Sequence, residues 1–100
     1  MTSAVTLKVS AKSNPNAVAG ALAGALRERD SIELQAVGAG AINQAVKAVA
    51  IARSYLKGAA LDAFCKPSFV VVAIGDSERT AISLLVERCK LEEKVSQVED

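Results

Sequence analysis

One hundred residues are enough for one domain with a buried core and too few for two. Half of them are apolar (51%) and 23% are charged, which excludes a disordered or low-complexity chain. The net charge of +1 conceals an asymmetry, eleven Lys and Arg against seven acids over residues 1–90 and one Lys against four acids over 91–100, so a mildly basic body is expected at 1–90 with an acidic C-terminal tail at 91–100.

In chain order, residues 4–10 (AVTLKVS) alternate Val5, Leu7 and Val9 with Thr6, Lys8 and Ser10, the pattern of a half-buried strand. Asn14 is a good N-cap and Pro15 suits the first helical position, so a helix starts there with Val18, Leu22, Ala25 and Leu26 as its apolar stripe. Gly20 and Gly24 lie one turn apart inside it, and their cost predicts a close backbone approach at that face. Residues 31–37 (SIELQAV) repeat the strand alternation. After Gly38 and Gly40, residues 41–57 read as a long helix with two apolar stripes, one of Ile42, Val46, Val49 and Leu56 and one of Ala41, Ala45, Ala48, Ala52 and Tyr55. Cover is therefore expected on two sides, from the sheet and from another helix or a second chain.

Residues 60–75 read as an irregular strand interrupted by Pro67, GDSE at 75–78 as a turn, and RTAISLLVER as a final strand apolar on both faces. Proline removes a ladder donor, which sends the Pro67 strand to an edge. The predicted fold is an α+β two-layer sandwich, βαβαββ, with a mixed four-stranded sheet of order 1-2-4-3 and both helices on one face.

The longest apolar stretches are broken by Arg or Lys below a bilayer-spanning length, and Met1 is followed by polar Thr2 and Ser3, so a cytoplasmic protein without membrane association is expected. Cys65 and Cys89 lack CxxC spacing and read as reduced thiols. A hairpin closing with Ile74 opposite Thr80 would set Cys65 opposite Cys89, whereas a bulge at Pro67 would turn Cys65 to the other face. The tail spaces Leu91, Val95 and Val98 at helical intervals; an exposed acidic tail and a short docking helix are both open there.

Without His, no catalytic residue, metal site or cofactor is predicted, and the search for function turns to anion binding. GAGAIN at 38–43 places Gly38, Ala39 and Gly40 at a strand-to-helix turn, where free N–H groups can cradle a phosphate, with Asn43 and Lys47 following on the helix. Asn43 stands where the dinucleotide fingerprint has its third glycine, and no GK[ST] follows, so a plain tight turn fits these residues equally well. The loop AKSNPN holds Lys12, Ser13 and Asn14 before the first helix. With both crossovers on one face, this loop and the Gly38–Gly40 segment open at the same end of the sheet. Arg53 reads as an ion-pair or interface residue, Arg27 and Arg29 as cations at a helix C-terminus, and Glu78 and Arg79 as a pair across the hairpin turn.

The stretches KVSAKSNPNAVAGALAGALRER, QAVGAGAINQAVKAVAIARSYL and ERTAISLLVE resemble the bacterial stage V sporulation protein S family over about residues 5–88. More distantly, the element order and the run A-x-G-x-x-AI-x-x-AV-x-x-V-x-I-x-R are similar to Alba, the archaeal chromatin protein. That likeness implies a dimeric DNA- or RNA-binding protein. Where Alba-type proteins carry two adjacent lysines in the first loop, this chain has Lys12 followed by Ser13; where arginines flank the second-loop glycine, it has Val37, Ala39 and Gly40. Their long arginine-bearing hairpin arm is expected to shrink here to GDSER, leaving Arg79. Fewer cations imply weak to moderate binding with a shallow salt dependence.

The resulting expectation is a non-catalytic sporulation or development regulator that binds nucleic acid as a homodimer or tetramer, through Lys12, Ser13, Asn14, Gly38, Ala39, Gly40, Asn43, Lys47 and Arg79. A protein–protein interaction module without nucleic acid and a small-anion or nucleotide sensor are the alternatives.

Overall fold

A computed structural model describes residues 5–92. Strand β1 (Val5–Val9) leads through a short loop to helix α1 (Pro15–Leu26), strand β2 (Ser31–Ala36) and helix α2 (Ala39–Leu56). A single 3₁₀ turn at Lys57–Ala59 precedes the long strands β3 (Leu61–Ile74) and β4 (Ser77–Lys90). The sheet order is β1-β2-β4-β3, with β1 and β2 parallel and the other pairs antiparallel, as the residue pattern predicts. Pro67 lies on the edge strand.

Alternation decides the layers. Val9, Ile32, Leu34, Ala36, Leu84 and Val86 point to one face and are buried against Leu22, Leu26, Val49 and Leu56 of the helices. Asn14 caps α1, its Oδ1 accepting from Asn16 N at 2.8 Å and Ala17 N at 3.3 Å, with Pro15 in the first turn.

At the other end of α1 the carbonyls are met from β4, because Arg27 and Arg29 lie beyond the last turn. Arg88 Nη1 donates to Leu26 O (3.1 Å) and Arg27 O (3.2 Å), while Nη2 donates to Asp30 Oδ1 at 2.8 Å. Arg88→Ala should therefore strand two helix-end carbonyls and lower stability by about 2 kcal/mol in a denaturant titration; an unchanged midpoint would show that the clamp contributes nothing. Arg53 is the ion-pair residue it was expected to be, its Nε donating to Asp62 Oδ1 at 2.8 Å and its Nη2 to Oδ2 at 3.1 Å, which holds the Asp62 carboxyl below the usual range.

Several expectations are corrected. Gly20 and Gly24 face solvent, and a Cβ at either would meet nothing within 4 Å, so no backbone packs there. Ala48 and Ala52 are fully buried within the chain, so the alanine stripe of α2 is covered by the protein's own core. The β3 strand is regular through Pro67, which pairs with Leu84 without a bulge. The hairpin closes as Ile74 opposite Ser77 around Gly75 and Asp76, three residues from the expected register. Gly75 at φ 60 supplies the positive φ that the first position of a tight two-residue hairpin loop requires. Cys65 then pairs with Val86 and Cys89 with Asp62. The two thiols stand three steps apart in register, roughly 10 Å along the strands and on opposite faces, too far for a bridge.

The hairpin is also longer than expected. Ladder pairing between β2 and β4 stops at Ala36 and Ile82, yet β3 and β4 stay paired for five more residue pairs, Val70–Ala81 through Ile74–Ser77. They form a two-stranded arm roughly 16 Å long, and the molecule is 61 Å along its longest axis. No described helix is long and apolar enough to cross a membrane. The tail positions Val95 and Val98 lie outside the described residues.

Candidate nucleic-acid interface

Because β1 and β2 are parallel, their C-terminal ends Val9 and Ala36 lie side by side, and the arm projects from β4 beyond Ile82 at that same end. Three segments therefore meet: the loop after β1, the loop after β2 and the root of the arm.

The first loop is stiffened internally. Ser13 Oγ accepts from Ser10 N at 2.9 Å, Ser13 N donates to Ser10 O at 3.0 Å, and Lys12 N donates to Ser10 Oγ at 3.2 Å. It is tied to the second helix by Gln44 Nε2, which donates to Ser13 O at 2.9 Å. Ala11 lies so close to α2 that a Cβ added at Gly40 would sit 2.9 Å from the Ala11 Cβ. The sequence expectation that Lys12 and the Gly38–Gly40 turn are neighbours is met, and the absent side chain at Gly40 is what permits the approach.

Gly38 caps α2 at φ 90 with no side-chain hydrogen bond, and Gly38, Ala39 and Gly40 are exposed, so first-turn N–H groups of α2 face solvent beside the first loop. Asn43 and Lys47 share an exposed face further along, but Lys47 is nine residues past the cap, roughly 13 Å up the helix, and stands apart from the turn. The Asn14 carbonyl oxygen is committed to capping α1. Ser13 serves chiefly to shape the loop.

Arg79 pairs with Val72 on the arm, on the face opposite Glu78, since successive strand residues point to opposite sides. The expected Glu78–Arg79 pair across the turn does not form. Val72, Ala73 and Ile74 instead line a groove of about 260 Å³ with Lys8, Val9, Ser10, Ala11, Gln35 and Val37. Lys8 thus joins the site, although the residue pattern marks it only as an outward strand position; its place opposite Gln35, one step from the strand end, was the available signal. Among the described residues, none of Lys8, Lys12, Lys47 and Arg79 forms an ion pair.

The open sheet face beyond Lys8 has the opposite sign. Glu33 accepts from Ser83 Oγ at 2.6 Å and Thr6 Oγ1 at 2.8 Å, and from Gln35 Nε2 at 3.3 Å. These hydrogen bonds, that from Ser83 foremost, outweigh partial burial and lower the Glu33 pKa, so its carboxylate is a fixed negative charge on that face. Cations without an ion-pair partner among the described residues thus lie at the loop end, and a fixed carboxylate lies on the sheet face. No group of three or more His, Cys, Asp or Glu able to hold a metal ion occurs among the described residues.

This combination defines the class: a small α+β protein with a one-sided sheet, paired strand-to-helix loops and a projecting hairpin. The family model described as Stage V sporulation protein S (SpoVS) matches residues 5–89, and the chain belongs to that family. It is thereby a sporulation-related protein.

Proposed function

We propose that this protein binds nucleic acid, DNA or RNA, through the end of the sheet where Lys12, Lys8, Arg79 and the exposed turn of α2 converge, and that it does so as a homodimer or higher oligomer. It acts as a non-catalytic, cytoplasmic regulator in sporulation. The observation that carries the reading is the contact between Ala11 and Gly40, which sets a lysine-bearing loop against a helix N-terminus with free donors. A phosphate there would meet both a cation and backbone N–H groups. The likeness of the α2 run to Alba, whose members bind DNA or RNA as dimers, supports the same assignment, and the projecting arm adds to that likeness.

The three cations are few for a nucleic-acid surface, which favours modest affinity per chain, raised when copies assemble. The test is a titration against duplex DNA, single-stranded DNA and RNA over a salt series. Lys12→Glu should weaken binding to every sequence alike and flatten the salt slope by roughly one unit, while Lys57→Glu at the far end of α2 should leave it unchanged. Equal isotherms for wild type and Lys12→Glu would remove this site. Absence of binding to all three polymers would leave the protein-interaction reading, for which the apolar arm is the supporting observation.

A further inference from the structure

The groove between the arm and the end of β1 has two kinds of wall. Val37, Val72 and Ile74 make most of it apolar, and the cross-strand partners Lys8 and Gln35 add polar groups. Its volume of about 260 Å³ lies below the roughly 300–1,000 Å³ of pockets that hold drug-sized ligands. It has room for one planar ring system and none for a helix or strand of another protein.

The surroundings of the groove are cationic. Lys8 belongs to the wall itself, Lys12 follows Ala11 of the lining, and Arg79 stands opposite Val72 on the neighbouring strand. None of the three forms an ion pair among the described residues. Gln35 donates its Nε2 to Glu33 Oε1 at 3.3 Å, which leaves its amide carbonyl to accept a hydrogen bond. The lining reaches from the first loop at Ala11 to Val37, the residue before the Gly38 turn of α2. A bare phosphate would leave the apolar walls unused, and an apolar peptide would leave the cations unused. A flat ring with a polar edge and a phosphate attached uses both.

We infer that the groove takes an unpaired nucleobase, with the phosphates of its strand on Lys12, Arg79 and the exposed turn of α2, so that the nucleic acid held at this site is single-stranded. This rests on the proposed function and names its substrate class. Val37, Val72 and Ile74 supply aliphatic cover for the ring, the Gln35 carbonyl accepts from an amino group on its edge, and Lys8 donates to a carbonyl or ring nitrogen. A duplex must break pairing and stacking before it can offer a base, whereas a single strand presents one already free. The aliphatic contacts release no counterions, so the salt dependence stays with the phosphate contacts.

A short oligodeoxyadenylate should bind the full chain about tenfold tighter than the same strand in a duplex, and about tenfold tighter than a base-free strand of equal length built from abasic residues. Val72→Ala combined with Ile74→Ala, one position half-buried and the other exposed, should keep the wild-type circular dichroism spectrum and lose about tenfold of the single-strand affinity. Its salt slope and its duplex binding should stay as in the wild type, in contrast to the flattened slope of Lys12→Glu. The chain has no Trp, so 2-aminopurine placed in the strand reports without a protein signal, and it should brighten as it leaves its stacked neighbours for an aliphatic slot. Four results would each overturn the inference and leave the phosphate site standing: equal affinity for the base-free strand, equal affinity for the duplex, unchanged 2-aminopurine fluorescence, or a folded double variant that binds the single strand like the wild type. So would single-strand binding lost on Phe69→Ala and kept in the double variant, which would move the base to the exposed ring. Failure of every polymer to bind the wild type would remove the proposed function and this inference together.

Discussion

Replacing Ala48 with Glu is expected to unfold the protein. Read from the sequence, the alanine stripe of α2 looks like a surface awaiting a second chain, and a charge placed there would separate subunits. In the structure Ala48 and Ala52 are fully buried, part of the core that contains Ala19, Leu22 and Ala23 of α1. The small side chains let the two helices lie close together. A Glu at this seam would have to fit its extra atoms into a packed interior and bury a carboxylate with no partner. The two effects together exceed about 4 kcal/mol, which is most of the stability of a small domain. Far-UV circular dichroism of Ala48→Glu should show lost cooperativity on heating. A folded variant with a near-native melting temperature would mean that the seam is loose enough to admit solvent.

The opposite sign is expected one helix away. Gly20 and Gly24 occupy interior positions of α1 with open space where their Cβ atoms would be. Each costs the helix about 1 kcal/mol relative to Ala, and because neither has a neighbour to disturb, the gains should add. The double substitution Gly20→Ala, Gly24→Ala is expected to stabilise the protein by about 2 kcal/mol and raise its melting temperature by about 10 °C. Gly40→Ala would be a poor companion, since its Cβ would run into Ala11. A melting temperature that stays level or falls would show that α1 uses its bare glycine face for something the single chain does not contain.

The candidate site was partly legible. Parallel β1 and β2 with crossovers on one face force the loops at 10–14 and 37–40 to the same end, so the meeting of Lys12 with the Gly38–Gly40 turn follows from element order. Lys8 did not emerge, because an outward lysine on an alternating strand looks like any solvated position. It becomes part of a groove only because the arm passes over the end of β1. Lys47 and the Asn14 side chain were placed in the site by type and proximity in sequence, and the helix rise and the capping bonds remove them from its centre.

Local chemistry in the sequence was sufficient for the elements, their order and the sheet order: Asn14 and Pro15 start α1, period-two alternation marks β1 and β2, and a proline that cannot donate sends β3 to the edge. The register and length of the β3–β4 hairpin were decided by tertiary structure. Both strands are apolar on both faces over much of their length, so sliding one past the other leaves the pattern nearly unchanged, and no alternation pins the pairing. The tight turn at Gly75–Asp76, the continuous ladder through Pro67 and the stop of β2 at Ala36 together set the register, separate Cys65 from Cys89 and create the arm. Which apolar stripe of α2 is covered was settled in the same way, since periodicity reports that a face is apolar while only packing determines what lies against it.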